Sequence, residues 1–145
     1  ETAILPGLDG RKMSKSYNNT IPLFTPEKKL QKLINRIVTN SLEPGEPKDP
    51  DNSHLFDIYS AFATEEQSAE YRRAFLDGIG WGDAKKQLFN LINEEIGEAR
   101  EKYYQLLENP ALIEEQLQAG AEKARKPARE MLLRLKEAVG LRNFA

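Results

Sequence analysis

From residue 26 onward, the apolar residues of this chain recur with the period of an α-helix. The first such stretch contains Leu30, Leu33, Ile34, Ile37 and Val38. A spacing of three and four residues places these side chains on one helix face, which has to be buried against other elements. Thr25, Pro26 and Glu27 are typical of a helix start, as an N-cap, a first-turn proline and an acid near the positive end of the helix dipole. A first helix is therefore predicted from about residue 26.

The same reasoning predicts three more helices in the middle of the chain. A short amphipathic helix covers residues 55–62, and the next one opens at the capping-box pattern Thr64-Glu65-Glu66-Gln67. A glycine-rich turn then leads into a long helix over residues 83–108. Its predicted buried face consists of Leu88, Leu91, Ile92, Ile96, Ala99, Tyr103 and Leu106.

A closing helical segment is predicted for the last part of the chain. Asn109 is its predicted cap, and Gly140 is its predicted stop. Between them, Gly120 is predicted to break or bend the chain, and Pro127 to end or kink the helix near Lys126. The predicted fold class is thus all-α, with a helical bundle from residue 26 to the end.

Residues 1–25 differ from everything that follows. They contain glycines and prolines and show no helical period, so we predict a loop. Such a segment cannot bury a core alone and is interpreted as the tail of a larger domain. The chain is therefore divided into a tail over residues 1–25 and a helical domain over residues 26–145.

Composition excludes several classes of site. The chain has no cysteine and a single histidine, His54, so disulfides, thiolate sites and His-rich metal sites are excluded. No apolar run reaches the roughly 18 residues that a membrane helix needs. No metal site and no membrane partner are predicted. The lack of cysteine fits a reducing cytoplasm, which is the predicted location.

Basic residues are clustered although the net charge is −2. Local clusters rather than the total charge determine whether a surface binds phosphates. Solvated helix faces and phosphate-binding faces are both open interpretations at this point. The candidate residues are Lys28, Lys29, Lys32 and Arg36 in the first helix, and Lys123, Lys126 and Arg129 in the last.

The sharpest chemical signal is the run Lys12-Met13-Ser14-Lys15-Ser16 in the N-terminal loop. Its lysines are three positions apart and are separated by small or flexible residues, which makes a mobile cationic clamp suited to a polyphosphate. Such ammonium groups stabilise the charge that develops on a departing pyrophosphate. The serines can donate hydrogen bonds or shape the turn, and Gly7 and Gly10 provide unusual backbone angles.

The stretch L-P-G-L-D-G-R-K-M-S-K-S-Y-N-N-T-I-P-L-F resembles the signature loop of bacterial tryptophanyl-tRNA synthetases, which are class I aminoacyl-tRNA synthetases. Residues 37–41 are similar to the pattern of the same family, in which an acid often stands in place of Asn40, and residues 120–141 resemble its closing helix. The resemblance implies that Lys12 and Lys15 are catalytic and contact the phosphates of ATP. It also implies an ATP site formed by Lys12, Met13, Ser14, Lys15 and Ser16, with the backbone near Met13 close to the adenine.

The same resemblance predicts the whole function. It implies a C-terminal fragment of an enzyme that activates tryptophan with ATP and Mg²⁺ and transfers it to tRNA(Trp), with the helices as the anticodon-binding domain. The basic clusters defined above are then the tRNA-binding candidates. The Rossmann-type catalytic domain with the tryptophan pocket would be missing, so the fragment alone is predicted to be inactive. The full-length enzyme is expected to be a homodimer.

Alternatives remain open at the level of sequence. The chain could be a fragment of the related tyrosyl-tRNA synthetase, a free-standing helical RNA-binding or interaction module, or a structural domain with a coincidental loop. The residues that follow the loop favour tryptophan over tyrosine. His54 is interpreted as a residue that caps or packs near the second helix, and Trp81 as a partly buried anchor.

Overall fold

The computed structural model describes residues 4–141 and confirms the predicted all-α class. Its helices are α1 (Glu27–Asn35), α2 (His54–Ser60), α3 (Glu65–Leu76), α4 (Trp81–Glu108) and α5 (Pro110–Ala138). Within residues 4–141 there is no strand, only an isolated antiparallel bridge between Pro6 and Lys12. The chain forms two compact units: one extends to Glu101, and the other begins at Lys102 with the end of α4 and contains α5.

The first unit has one hydrophobic core, to which α1, α2, α3 and α4 all contribute. An aromatic cluster lies at its centre, where the ring centroids of Tyr59 and Tyr71 are 3.8 Å apart and Phe75 meets Trp81 edge-on at 5.6 Å. The buried Tyr71 hydroxyl donates a hydrogen bond of 2.8 Å to the carbonyl of Ala84, which satisfies its polar end. This bond joins α3 to the first turn of α4.

Local signals explain where the helices start. The predicted capping box is confirmed: Gln67 N–H donates to the Thr64 hydroxyl at 3.2 Å, and Thr64 N–H donates to the Gln67 side chain at 2.9 Å. Sequence reasoning did not identify Ser53, whose hydroxyl caps α2. Thr25 was predicted as the cap of α1 and does not act as one, because Pro26 occupies the cap position without a side-chain bond.

The first predicted helix is too long at its C-terminal end. It stops at Asn35, so Val38 does not join the apolar stripe and is exposed, while Ile37 is buried from the following loop. Lys85 of α4 reaches this end and donates to the carbonyls of Asn35 (3.1 Å) and Ile37 (2.7 Å). A cation that satisfies free carbonyls at a helix end stabilises that end.

The long helices also depart from the prediction. On α4, burial ends at Ile96, and the predicted core residues Ala99, Tyr103 and Leu106 are exposed. Helix α5 continues through both Gly120 and Pro127, because one missing N–H removes a single bond from a ladder of 29 residues. Asn109 does not cap it with its side chain, which donates to the carbonyl of Gln105 instead. Gly140 follows the end of α5, as predicted.

The loop between α1 and α2 is held by a buried lysine. The Lys48 side chain is 1% exposed, and its ammonium donates to the carbonyls of Glu43 (3.0 Å) and Glu46 (2.9 Å). The same ammonium lies 5.4 Å from the centre of the Trp81 ring, in a cation–π contact. This lysine therefore connects the loop to the start of α4.

Replacing Lys48 by methionine should lower the free energy of unfolding by about 2–4 kcal/mol, because carbonyls that accept from a buried charge lose their donor. Urea denaturation of the chain measures this difference. Lys86→Met is the matched control, since Lys86 is exposed on α4 and should change the stability little. Equal stability of both variants would show that Lys48 does not hold the loop.

Candidate functional site

The loop that carries the paired lysines folds back on itself. Gly7 N–H donates to the carbonyl of Arg11 at 2.7 Å, and Gly10 N–H donates to the carbonyl of Gly7 at 3.0 Å. Met13 N–H donates to the carbonyl of Leu5 at 3.1 Å, which aligns the two arms of the turn. These bonds give the loop a defined backbone without any regular element.

Asn19 holds the two halves of this loop together from inside. It is 2% exposed, and its side-chain oxygen accepts from Ser14 N–H at 2.8 Å. Its side-chain amide donates to the Asp9 carboxylate at 2.7 Å and to the carbonyl of Lys12 at 3.3 Å. Backbone bonds extend the connection, because Leu8 N–H donates to the Asn19 carbonyl and Val38 N–H donates to the Leu8 carbonyl, both at 2.9 Å. One amide group thus fixes the backbone of the loop on either side of Met13.

Asp9 is the anionic partner in the loop. The Asn19 amide is the main cause that lowers the pKa of this carboxyl to about 2, and Arg11 lowers it further. The Arg11 guanidinium contacts Asp9 at 2.6 Å and lies 4.3 Å from the centre of the Tyr17 ring. The stabilisation from the ionised carboxylate is complete above the ordinary pKa of 3.8 and is lost as the pH falls through about 2. Asp9 therefore remains ionised at neutral pH, and Arg11 is occupied within the loop.

Lys12 and Lys15 are the available cations of the loop. Both side chains are exposed, and within residues 4–141 neither ammonium has an ion pair or hydrogen bond. Ser14 caps a 3-10 turn over Lys15–Tyr17, where its hydroxyl accepts from Ser16 N–H at 3.3 Å. Ser14 is thus used for local shape, while the Ser16 side chain is exposed. A fixed backbone that presents two unpaired ammonium groups can bind a polyphosphate.

The Met13 side chain anchors the loop to the helical core. It lines a small apolar cavity of about 120 Å³ together with Ile21, Leu30, Ile92 and Ile96. The lysines on either side of it remain exposed. The apolar Met13 side chain thus faces the core, while Lys12 and Lys15 on either side of it face solvent.

Two glycines are required by close contacts in this loop. A Cβ atom at Gly7 would lie 2.4 Å from the side-chain carbon of Asn19 and 2.7 Å from its carbonyl oxygen. Gly10 has a φ of 80°, and a Cβ there would lie 2.4 Å from Nε2 of His54. The unusual backbone angle predicted for Gly10 is confirmed, and the structure adds that Gly7 and Gly10 make room for Asn19 and His54.

The predicted basic clusters lie on exposed helix surfaces. Lys28, Lys29 and Lys32 are exposed on α1, and Arg36 is exposed just after its end. In the second unit, Lys123, Lys126 and Arg129 are exposed on α5. Both clusters are therefore open to a polyanion, and neither includes a residue of the loop.

The described residues contain neither a metal-binding cluster nor a membrane-spanning helix. Between residues 4 and 141, no group of three His, Asp or Glu side chains is arranged to hold a metal ion. In the same range, no helix has the length and apolar character needed to cross a membrane.

Comparison with known protein families shows to which family this chain belongs. Residues 2–97 match the family described as class I tRNA synthetases (W and Y). The chain belongs to this family. The predicted resemblance to tryptophanyl-tRNA synthetases is confirmed at a finer level by individual relatives of this synthetase chain.

These relatives are tryptophan–tRNA ligases. The chain is 61% identical to the ligase of Pseudomonas syringae pv. tomato, over 98% of its own length and 32% of that ligase. It is 58% identical to the ligase of Neisseria meningitidis, over 96% of its own length and 41% of that protein. The chain therefore spans about a third of the length of the curated relatives that it matches.

Solved structures agree with this assignment. The tryptophanyl-tRNA synthetase of Campylobacter jejuni, crystallised with ADP and tryptophan, superposes with a TM-score of 0.92 at 44% identity. The match covers 97% of this synthetase chain and 44% of that protein. The fold of the chain is thus that of the corresponding part of a tryptophanyl-tRNA synthetase.

Sequence reasoning missed the residues that shape the site. Asn19 and Asp9 were present in the quoted loop motif but received no role. The available signal was the position of a small amide directly after the turn, where side-chain hydrogen bonds to the backbone are common. Their pairing across ten residues depends on how the loop folds back, which local patterns do not encode.

Proposed function

We propose that this chain supplies the ATP phosphate-binding loop and the tRNA-binding helices of a tryptophan–tRNA ligase. In the intact enzyme, the carboxylate of tryptophan attacks the α-phosphorus of ATP, supplied as its Mg²⁺ complex. The bond from that phosphorus to the bridging oxygen breaks, so that tryptophanyl-adenylate forms and pyrophosphate leaves. Tryptophan is then transferred to tRNA(Trp), a reaction that would take place in the cytoplasm.

The observation that carries this proposal is the pair of unpaired lysines on a loop fixed by Asn19. When pyrophosphate leaves, negative charge moves to the bridging oxygen and to the terminal phosphates. Lys12 and Lys15 would meet this charge, which is larger in the transition state than in bound ATP. Because Asp9 already occupies Arg11, these lysines are the cations of the loop that remain available for ATP.

We also propose that the two parts of the chain belong to different domains of the ligase. Residues 1–25 would belong to the catalytic domain and residues 26–145 to the anticodon-binding domain. The tryptophan pocket and the rest of the ATP site would lie in the portion of the ligase outside this chain, and the enzyme would act as a homodimer. A fragment of a tyrosyl-tRNA synthetase is the second candidate, because the matched family includes both specificities.

Pyrophosphate exchange into ATP tests the activity directly. The ligase that contains this chain should exchange pyrophosphate when tryptophan is added and should show no exchange with tyrosine. The 145-residue chain alone should show none, because the proposal places the amino-acid pocket in the part of the ligase outside it. Tyrosine-dependent exchange would favour the second candidate, and robust exchange by the isolated chain would refute the proposed division.

The basic clusters should make tRNA binding depend on salt. Replacing both Lys28 and Lys32 by alanine should weaken binding of the ligase to tRNA(Trp) and reduce the slope of log K against log salt by up to about two. Lys86→Ala on α4 is the control and should leave the slope unchanged. Filter binding at several salt concentrations measures both quantities. Unchanged salt dependence in the double variant would exclude this face of α1 from the tRNA interface.

A further inference from the structure

Two methionines carry the only sulfur atoms of the chain, and they lie in different surroundings. The Met131 side chain is 55% exposed on α5. Met13, which lies between the two lysines of the loop, is half-buried and lines an apolar cavity of about 120 Å³. Small oxidants in solvent can therefore reach both residues, while Met13 in addition packs against the core of the first unit.

The cavity beside Met13 is lined by hydrocarbon side chains. Ile21, Leu30 and Phe62 are among them, and the other lining residues are leucine, isoleucine and proline. None of these side chains carries a hydrogen-bond donor. A polar oxygen placed among them remains unpaired, which is unfavourable in an apolar environment. A bound water does not remove this cost, because a buried water needs about two to four polar partners.

Hydrogen bonds on both sides connect the Met13 backbone to the lysines. Met13 N–H donates to the carbonyl of Leu5 at 3.1 Å, and the residues directly before and after Met13 are both bonded to the Asn19 side chain. A Met13 side chain that leaves the cavity therefore displaces the backbone that carries Lys12 and Lys15. A displacement of about 1 Å in a catalytic group can slow a reaction about 10²-fold.

We propose that Met13 is a reversible oxidation site, at which a peroxide inactivates the loop. The thioether sulfur attacks one oxygen of hydrogen peroxide, and the O–O bond breaks to release hydroxide. The hydroxide takes the proton from the sulfur-bound oxygen and leaves as water, so that sulfur is oxidised and peroxide is reduced by two electrons. Methionine sulfoxide reductases return the sulfoxide to the thioether. The inference rests on the proposed function and adds a regulation of its ATP-binding loop.

The sulfoxide is polar where the thioether was apolar, so the modified Met13 side chain exchanges the cavity for solvent. Lys12 and Lys15 then lose their fixed position although their own chemistry is unchanged. Oxidation of Met131 has no comparable effect, because its side chain already faces solvent. Met131 thus serves as the internal comparison for the effect of oxidation at Met13.

The test treats the ligase with hydrogen peroxide, stops the reaction with catalase and maps sulfoxides by peptide mass spectrometry. Tryptophan-dependent pyrophosphate exchange should fall as Met13 is converted and should be about 10- to 100-fold slower at full conversion. The KM for ATP should rise, because the phosphates meet a loop that has to be ordered first. Treatment with both methionine sulfoxide reductases, one for each epimer, should restore the exchange.

Substitutions separate Met13 from every other oxidisable residue of the ligase. Met13→Leu keeps an apolar side chain of similar volume but has no sulfur to oxidise. Measured against its own untreated rate, Met13→Leu should lose much less exchange on peroxide treatment than the wild type, whereas Met131→Leu should lose as much as the wild type. Met13→Gln carries a polar side chain without any oxidant and should be slow before treatment.

Tryptic cleavage after Lys12 and Lys15 measures detachment of the loop without reference to activity, and it should become faster once Met13 is oxidised. The assignment is overturned if Met13 stays unoxidised while Met131 is fully converted, or if the wild type and Met13→Leu lose the same fraction of exchange. Equal rates of cleavage before and after oxidation of Met13 overturn it as well. Absence of exchange in the untreated ligase refutes the proposed function, whereas the cleavage rates and mass spectra still decide whether oxidation of Met13 releases the loop.

Discussion

Replacing Lys15 by alanine in the ligase that contains this chain should slow adenylate formation by about 10²- to 10³-fold, the usual effect of removing one donor to a developing anion. The Lys15 ammonium is exposed and unpaired in the described part of the chain. Its loss therefore leaves no internal partner unsatisfied, and the helical fold should melt at the wild-type temperature. Single-turnover measurement of adenylate formation isolates the chemical step from product release.

The kinetic pattern distinguishes catalysis from simple ATP binding. A lysine that meets charge mainly in the transition state lowers kcat more than it raises the KM for ATP. Lys86→Ala provides the matched control, because it removes an exposed lysine from α4 and should leave both constants unchanged. A Lys15→Ala enzyme with the wild-type single-turnover rate would contradict a catalytic role for the loop. Lys12→Ala is expected to act in the same direction.

The helices were predictable because their signals are local. The apolar stripe of α1, the capping box of α3 and the stop at Gly140 each depend on residues within a few positions of one another. The same locality produced the errors. Lys85, which donates to the Asn35 carbonyl at the end of α1, lies fifty residues further along the chain, so no pattern within the helix predicts this contact.

The prediction that Gly120 and Pro127 interrupt the last helix was wrong. Pro127 removes one donor, but the turns on either side retain theirs, so α5 continues through it. Apolar residues also recur along the same helix. None of the described residues of α5 is buried. Periodicity shows which residues share a helix face but not whether that face is covered by another element.

The sequence predicted the chemistry of the loop but not the hydrogen bonds that hold its backbone. Lys12 and Lys15 are recognisable from residue type and spacing, since an exposed cation needs no partner to be identified. Asn19 acts through bonds to Ser14, Lys12 and Asp9, which come together only when the loop folds back. Likewise, Asn40 and Trp81 are 41 positions apart and meet only in the folded chain.

Replacing Asn19 by alanine should reduce adenylate formation about 10²-fold, although Asn19 touches no substrate in the proposed mechanism. Its removal leaves Ser14 N–H and the Lys12 carbonyl without their partner, so the backbone that carries both lysines is no longer fixed. A displacement of about 1 Å in a catalytic group can cost this factor. The KM for ATP should rise as well, because the phosphates meet a loop that has to be ordered first.

The neighbouring asparagine provides the matched control for this substitution. Asn18 has a φ of 52°, a conformation that glycine adopts easily, so Asn18→Gly should keep the loop and the rate. Asn19→Asp makes the sharper test: its carboxylate still accepts from Ser14 N–H but faces the Asp9 carboxylate where an amide donated before. Repulsion between the two should make this isosteric variant at least as slow as Asn19→Ala, with partial recovery as the pH falls and one carboxylate is protonated. If Asn19→Asp retains the wild-type rate at neutral pH, the amide donor does not position the loop.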